Sequence, residues 1–548
     1  MLSFAFMQLL YSCTIAMLLT TVLMPVAIRI APMVGLMDWP DANRKTHKRV
    51  IPRCGSLAML LGIATSLLVY LPLTEKLLHL LLATAIIVFF GLLDDRKGLN
   101  YRWKFFGQII AVLIVMHGGF LISRVPLLDL GTAPQWLSYL LTFLFILGVT
   151  NAVNLTDGLD GLAAGTTLLA LVVIFALSHI SDDSTGAIIS VTVIGGILGF
   201  LRYNTFPARV FMGDAGSQFL GFIASCLAIS VTQAETCAVS PVLPLLILGL
   251  PVLDTVTVMS IRMSQGRSPF SPDQNHLHHQ FMSLGLRHNE AVAVIYILQV
   301  VLLGLAFLLR FAQDELLLGI YIGFSIAVVS GLFVARRNNW RIHSNALHTG
   351  FVERRNAILP RMPWFYSNSS FIVQGLMAPL LILPALLPRA NGYIVDSLEF
   401  VLIALLLLAI AIYSRFPAWS TRITIYSASV LSVYLLSANQ NTADWARCIN
   451  AAFIVLAGVL ALAIKMTRRE QFRLDTQDLL ILIVILVVPR LPLEPLSHFS
   501  VGEFSLRLAV LIYCCEFIVA RTNEKKMLLP VNVASVLSVA LAVVLNGG

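Results

Sequence analysis

The sequence is poor in charge: only 12% of its 548 residues are Asp, Glu, Lys or Arg, while 58% are hydrophobic. A soluble chain of this length needs more charge to solvate its surface, so a water-soluble globular fold is excluded. Cys13, Cys54, Cys226, Cys237, Cys448, Cys514 and Cys515 are odd in number, scattered, and form no C-x-x-C pair. Neither a disulfide framework nor a zinc knuckle is supported; in apolar runs cysteine acts as a small hydrophobe. The G-x-x-x-x-G-K-[ST] loop of a P-loop nucleotidase is lacking. So is the period-2 alternation of a membrane barrel. The N-terminus has no basic n-region and no cleavage site before Thr20–Thr21, and is expected to be a first span rather than a removed signal.

What the sequence has in abundance is apolar runs such as 77–90, 105–116 and 398–412, with a mean hydropathy of +0.87 overall. With their flanks these reach the roughly 20 residues a spanning helix needs. The expected fold class is therefore all-α, a polytopic transmembrane helical bundle. Eleven spans are expected up to residue 335: near 4–31, 54–72, 77–93, 105–123, 135–152, 158–179, 186–201, 216–234, 240–261, 290–310 and 316–335. Seven more are expected near 370–388, 397–413, 421–437, 446–464, 476–489, 501–519 and 528–546. Lys and Arg then fall on alternate loops, as in Arg44–Arg53, Arg96–Lys104, Arg262–Arg287 and Arg336–Arg361, whereas Asp182–Asp183 and Asp314–Glu315 lie opposite. The positive-inside rule makes the basic side cytoplasmic, and a cell inner membrane is the expected location. The net charge of +9 reads as this loop bias and attraction to anionic lipid, with no nucleic-acid partner. Three regions are expected: a catalytic domain over 1–335, a basic linker over 336–363, and an accessory transmembrane domain over 364–548.

Four polar constellations fall on the cytoplasmic side. Asp94-Asp95-Arg96-Lys97 closes the third span, and Lys104 follows at the next helix start. An aspartate pair at a membrane edge is costly unless it meets a cation or cavity; the alternative is a solvated helix end paired with Arg96. The segment from Asn151 to Gly165 contains Asn154, Asp157 and Asp160, spaced to share one helix face, with Gly158 and Gly161 leaving room for a ligand. The alternative is an N-capping aspartate. Phe211-Met-Gly-Asp214-Ala-Gly-Ser217 offers a candidate hard-metal ligand, or simply an N-cap. Finally Ser268-Pro-Phe-Ser-Pro-Asp273-Gln-Asn-His276-Leu-His278-His279, behind Arg262 and Arg267, suggests phosphate or metal binding. Zinc competes there, but the carboxylates suit Mg²⁺ better. Carboxylates for a divalent cation beside Lys, Arg and His for phosphates point to phosphoryl transfer, with a lipid as donor or acceptor.

In this order the four segments resemble the polyprenyl-phosphate N-acetylhexosamine-1-phosphate transferase family, over about residues 1–335. The His-x-His-His form at His276–His279 resembles the bacterial branch that uses UDP-GlcNAc. The resemblance implies transfer of GlcNAc-1-phosphate from UDP-GlcNAc to undecaprenyl phosphate, releasing UMP, as the first membrane step of a surface polysaccharide such as O antigen. It implies Mg²⁺ (or Mn²⁺) held by Asp214 with Asn154, and Asp157 and Asp160 lining the nucleotide pocket, Asp160 towards the uracil. Lys104, Arg262, His276, His278 and His279 are expected to neutralise phosphates. Asp94 and Asp95 are expected near the lipid phosphate, with Asp94 binding or deprotonating it. The N-terminal loop also fits, with Asp38, Asp41, Arg44, Lys45, His47 and Arg53; Lys45 is counted with the substrate-binding residues. The sequence departs from the family at Gly55-Ser56, where a glycine pair is usual, and at Gly98, where a third aspartate is common. Another UDP-N-acetylhexosamine is the alternative donor.

Residues 364–548 add no acidic pair, histidine cluster or glycine loop, and are expected to serve packing, homodimerisation or partner docking. A transporter of lipid-linked or anionic substrate is the rival for the whole chain, but it predicts internal repeats and mid-membrane charge. A scaffold leaves the aspartates unexplained.

Overall fold

The computed structural model describes residues 4–40, 49–125, 133–233, 239–268 and 275–340, together with parts of 363–386, 424–436, 446–466, 501–521 and 535–537. It divides into two compact units, Leu2–His343 with Asp475–Leu480, and the remainder.

The first unit is a helical bundle. Its long helices are α1 (Phe4–Val34), α2 (Gly55–Tyr70), α3 (Glu75–Lys97), α4 (Tyr101–His117), α5 (Gln135–Thr156), α6 (Leu162–Ile180), α7 (Ser184–Asn204) and α8 (Gly213–Gln233). A short α9 (Leu243–Ile247) and α10 (Gly249–Ser264) follow, broken at Leu248; then come α11 (Leu277–Ser283), α12 (His288–Leu308) and α13 (Asp314–Arg337). With α9 and α10 taken together and the short α11 set aside, these helices overlap the segments read from hydropathy. Nine helices among the described residues are long and apolar enough to cross a membrane, one of them Arg447–Ile464 in the second unit. The chain is a multi-pass, all-α membrane protein. The only strands among the described residues are β1 (Met37–Asp38) and β2 (Ile51–Pro52), paired antiparallel.

Local chemistry sets the helix ends. Thr74 caps α3 by accepting from the Leu77 N–H, and Gly98 ends it in the left-handed conformation. Asn100 then caps α4 through the Arg102 N–H, and Asp183 caps α7 through the Gly186 N–H. Lys104 therefore sits in the first turn of α4.

Burial identifies the axis of the bundle. In α8, 94% of the most apolar stretch is buried, against 17% in α1 and α13. The first is wrapped by α3, α5 and α6; the others are mostly half-buried or exposed along their length. Gly91 permits the α3–α8 contact, since a Cβ there would lie 2.4 Å from Ala215 Cα.

In the second unit the described helices are α14 (Pro363–Leu386), α15 (Ala446–Met466) and α16 (Val501–Arg521), which pack on one another. The segments expected near 397–413 and 476–489 lie outside the described residues, as does most of that near 528–546, while the one near 421–437 is described in part, as helical stretches within 424–436. Cys13, Cys54, Cys226, Cys448, Cys514 and Cys515 are free thiols.

Candidate active site

The C-terminal ends of α3, α5 and α7 and the N-terminal ends of α4, α6, α8 and α12 meet at one end of the bundle, bringing the four motifs together. At the centre is the Lys104 ammonium. It lies 3.3 Å from Asp94 Oδ2 and 3.2 Å from Asn154 Oδ1, and it is bonded to Asp214 Oδ2. Asn154 turns its Nδ2 to Ser217 Oγ at 2.7 Å and to Asp214 Oδ1 at 3.4 Å. Below it, Gln108, Asn151 and Gln218 form a polar network that joins α4, α5 and α8.

Asp94 and Asp95 do different things. Asp94 Oδ1 accepts from the Leu99 N–H at 2.7 Å, and its other oxygen faces Lys104. Asp95 is buried, and its two oxygens accept from the Asp214 and Ala215 N–H groups at 2.8 and 3.1 Å. Arg53 Nη1 stands 3.8 Å from Asp95 Oδ1, and its Nη2 is ion-paired with Asp38 on β1. Asp95 is thus the N-cap of α8 supplied from another helix, where first-turn N–H groups favour a carboxylate. Expected near the lipid phosphate, Asp95 has both oxygens engaged in fixing the backbone of Asp214 and Ala215. This corrects the alternative for Asp214, which stands in the first turn of α8 and is not its own cap.

Asp157 and Asp160 do not share a helical face. Helix α5 runs on to Thr156, beyond the expected end at 152, with Asn151 and Asn154 held by Gln108, Lys104 and Ser217 from other helices. Residues 157–161 form a tight turn. The Gly161 N–H donates to Asn204 Oδ1 at 2.9 Å, and Tyr296 donates to the Gly161 carbonyl at 2.7 Å. Asp160 Oδ2 accepts from the Ala208 N–H at 2.9 Å, tying the turn to the segment after α7. Among the described residues no side chain donates to the Asp157 carboxyl. Burial, and then the carboxylates of Asp214, Asp160 and Asp95, push its pKa up to about 7 against the opposing pull of Arg53.

The histidines separate by environment. His278 is 3% exposed and lies against Gly158, where a Cβ would come within 2.2 Å of its Nε2. Burial and the neighbouring rings of His279, His276 and His288 push its pKa down to about 3. Both effects favour the neutral ring of His278, which packs on Gly158. His276 Nδ1 lies 2.9 Å from Asp254 Oδ2, and Asp254 Oδ1 accepts from the Leu277 N–H at 2.7 Å. Asp254, on α10, was missed in the sequence, although an aspartate within an apolar helix is itself a signal. The His278 and His279 rings lie 4.2 Å apart. Arg262 is buried in the last turn of α10. Lys45 and Asp273 lie outside the described residues.

Among the described residues no three His, Cys, Asp or Glu side chains gather as a metal cluster. What they do offer is three oxygens, from Asp94, Asp214 and Asn154, converging on one cation, Lys104 Nζ. That donor set fits a hard divalent ion, which takes one or two carboxylates and completes its shell with water and phosphate.

A multi-pass helical membrane protein with carboxylates, amides and an ammonium gathered at one end of its bundle is the class that fold and site define. The model of glycosyl transferase family 4 matches residues 77–232, which span α3 to α8. A Bacillus subtilis (strain 168) relative, described as a probable undecaprenyl-phosphate N-acetylglucosaminyl 1-phosphate transferase, is 37% identical over 288 residues, 52% of this chain and 80% of the relative. The decaprenyl-phosphate N-acetylglucosaminephosphotransferase of Mycolicibacterium smegmatis (strain ATCC 700084 / mc(2)155) is 34% identical, over 55% of this chain and 82% of that one. The undecaprenyl-phosphate alpha-N-acetylglucosaminyl 1-phosphate transferase of Escherichia coli (strain K12) is 30% identical, over 54% and 82%. The chain belongs to glycosyl transferase family 4.

Proposed function

We propose that this protein transfers GlcNAc-1-phosphate from UDP-GlcNAc to undecaprenyl phosphate at the cytoplasmic face of the inner membrane, as the first lipid-linked step of a surface polysaccharide. A phosphate oxygen of the lipid attacks the β-phosphorus, the bond to the bridging oxygen breaks, and UMP leaves with that oxygen. The convergence of Asp94, Asn154 and Asp214 on Lys104 carries this reading, because phosphoryl transfer is catalysed chiefly by positioning and charge neutralisation. The names of the relatives supply the sugar and the class of lipid.

Asp214 and Asn154, with Asp94 beside them, would hold Mg²⁺ or Mn²⁺. Such an ion supplies positive charge for the pyrophosphate oxygens. Lys104 supplies a cation from the first turn of α4, and Asp94 faces it at the membrane edge, where a lipid phosphate arrives. A phosphate monoester is largely ionised near neutrality, so direct attack needs no strong base. Asp95 and Arg53 hold the α8 terminus, and Asp157 lines the nucleotide side.

The test incubates purified protein with Mg²⁺, undecaprenyl phosphate and labelled UDP-GlcNAc, with other UDP-N-acetylhexosamines in parallel. Lipid-linked label and stoichiometric UMP are expected; neither product from any donor refutes the reading. Asp214→Asn should abolish turnover, while Cys514→Ser should leave it unchanged.

A further inference from the structure

Asp254 has no part in the reading above, yet it is built like a working group. It is 3% exposed on an apolar helix, where an unpaired carboxylate is costly. Each of its oxygens has one strong partner: the backbone N–H of Leu277, which starts α11, and Nδ1 of His276. The first bond fixes where the histidine loop begins. The second fixes the plane of the ring and, with Nδ1–H as donor, leaves Nε2 as the nitrogen available to a ligand. Among the described residues no hydrogen-bond partner meets that Nε2. The His276 ring lies nearly parallel to His278, centroids 5.8 Å apart at 11°, and His278 in turn rests on Gly158, beside Asp157. An atom presented by His276 is thus one ring away from the aspartate turn.

We infer that Asp254 is a positioning residue, which orients His276 so that its Nε2 meets a phosphate oxygen of the nucleotide-sugar substrate. The inference rests on the proposed transferase reading for the identity of that substrate. Asparagine at 254 offers one acceptor oxygen where two donors wait, so either the ring or the Leu277 N–H is released. Removing such a supporting carboxylate costs about ten- to a hundredfold where its only work is to orient a ligand-binding histidine.

The experiment is a double-variant cycle with a second measurement that needs no turnover. Asp254→Asn should lower kcat/KM for UDP-GlcNAc about ten- to a hundredfold, and Asp254→Glu should recover part of it. In the His276→Gln background, Asp254→Asn should add no further loss. If the two losses multiply, or if His276→Gln is fully active, Asp254 merely staples α10 to α11 and the inference fails. Carbethoxylation by diethylpyrocarbonate, read by mass spectrometry on the peptide between Arg267 and Arg287, should modify His276, with UDP-GlcNAc protecting it; Asp254→Asn should weaken that protection. An active enzyme whose His276 is never protected overturns the positioning role. A chain without transferase activity whose His276 is still protected by UDP-GlcNAc overturns the proposed reaction and leaves the positioning role standing.

Discussion

Replacing Lys104 with methionine should turn a self-neutralised site into an open divalent-cation site. In the structure the ammonium stands among Asp94 Oδ2, Asp214 Oδ2 and Asn154 Oδ1, with the Lys104 side chain only 18% exposed. Removing one partner of a mostly buried ion pair costs about 3–5 kcal/mol, because the remaining charge is left uncompensated. Here two carboxylates are left, so Lys104→Met should lower the melting temperature of the detergent-solubilised, metal-free protein. A divalent cation entering the cradle relieves that repulsion. If it returns only about 1.4 kcal/mol of the loss, the dissociation constant tightens tenfold. The assay is the free Mn²⁺ signal in electron paramagnetic resonance, titrated with substrate-free protein, alongside melting with and without Mg²⁺. Tighter Mn²⁺ binding and a larger Mg²⁺-induced rise in melting temperature are expected, together with lost turnover, since the phosphate-facing cation is gone. Unchanged or weaker Mn²⁺ binding would refute the view that lysine and metal share these oxygens.

Three further outcomes follow from the geometry. Asp95→Asn removes the charge and one acceptor oxygen at the start of α8 and should cost about 1–3 kcal/mol of stability, whereas Asp94→Asn, which leaves Lys104 paired with Asp214, should abolish turnover with the smaller loss of stability; the reverse pattern would reverse their roles. Gly158→Ala forces a methyl group into His278 and should cost about 1–3 kcal/mol by overpacking, with Gly158→Ala/His278→Ala recovering part of it in a thermal melt. His278, neutral down to about pH 3 when folded, takes up a proton more readily when unfolded, near its ordinary value of 6.5. Its contribution to stability is therefore present above about pH 6.5 and is lost as pH falls from there towards 3. His278→Asn should flatten the pH dependence of melting over that window, and an unchanged slope would count against the buried neutral ring.

Much of this site is legible in the sequence because its residue types carry the chemistry. Asp94, Lys104, Asn154 and Asp214 stand out as polar groups at span ends, and the structure brings all four within bonding distance. Asp95 is harder, because its partners are backbone N–H groups 119 and 120 residues further along, and no side-chain pattern announces them. The end of α5 lies beyond what the sequence suggests for a related reason. Asparagine and threonine are weak helix formers, but Asn151 and Asn154 are held in place by Gln108, Lys104 and Ser217 from other helices. Three adjacent histidines look equivalent on paper. Only the fold reveals that one rests on a glycine and another on a carboxylate.

The contact between Gly158 and His278 also bears on how such an enzyme can change its substrate. Two segments far apart in the chain touch there, and the first cannot gain volume without the second yielding. On the proposed transferase reading, a single substitution that enlarges residue 158 will therefore arrive as a folding defect before it shows as a new donor preference. Altered donor choice should emerge from paired changes, one in the turn after α5 and one in the histidine loop. A library that randomises both loops together is the one in which to look for it.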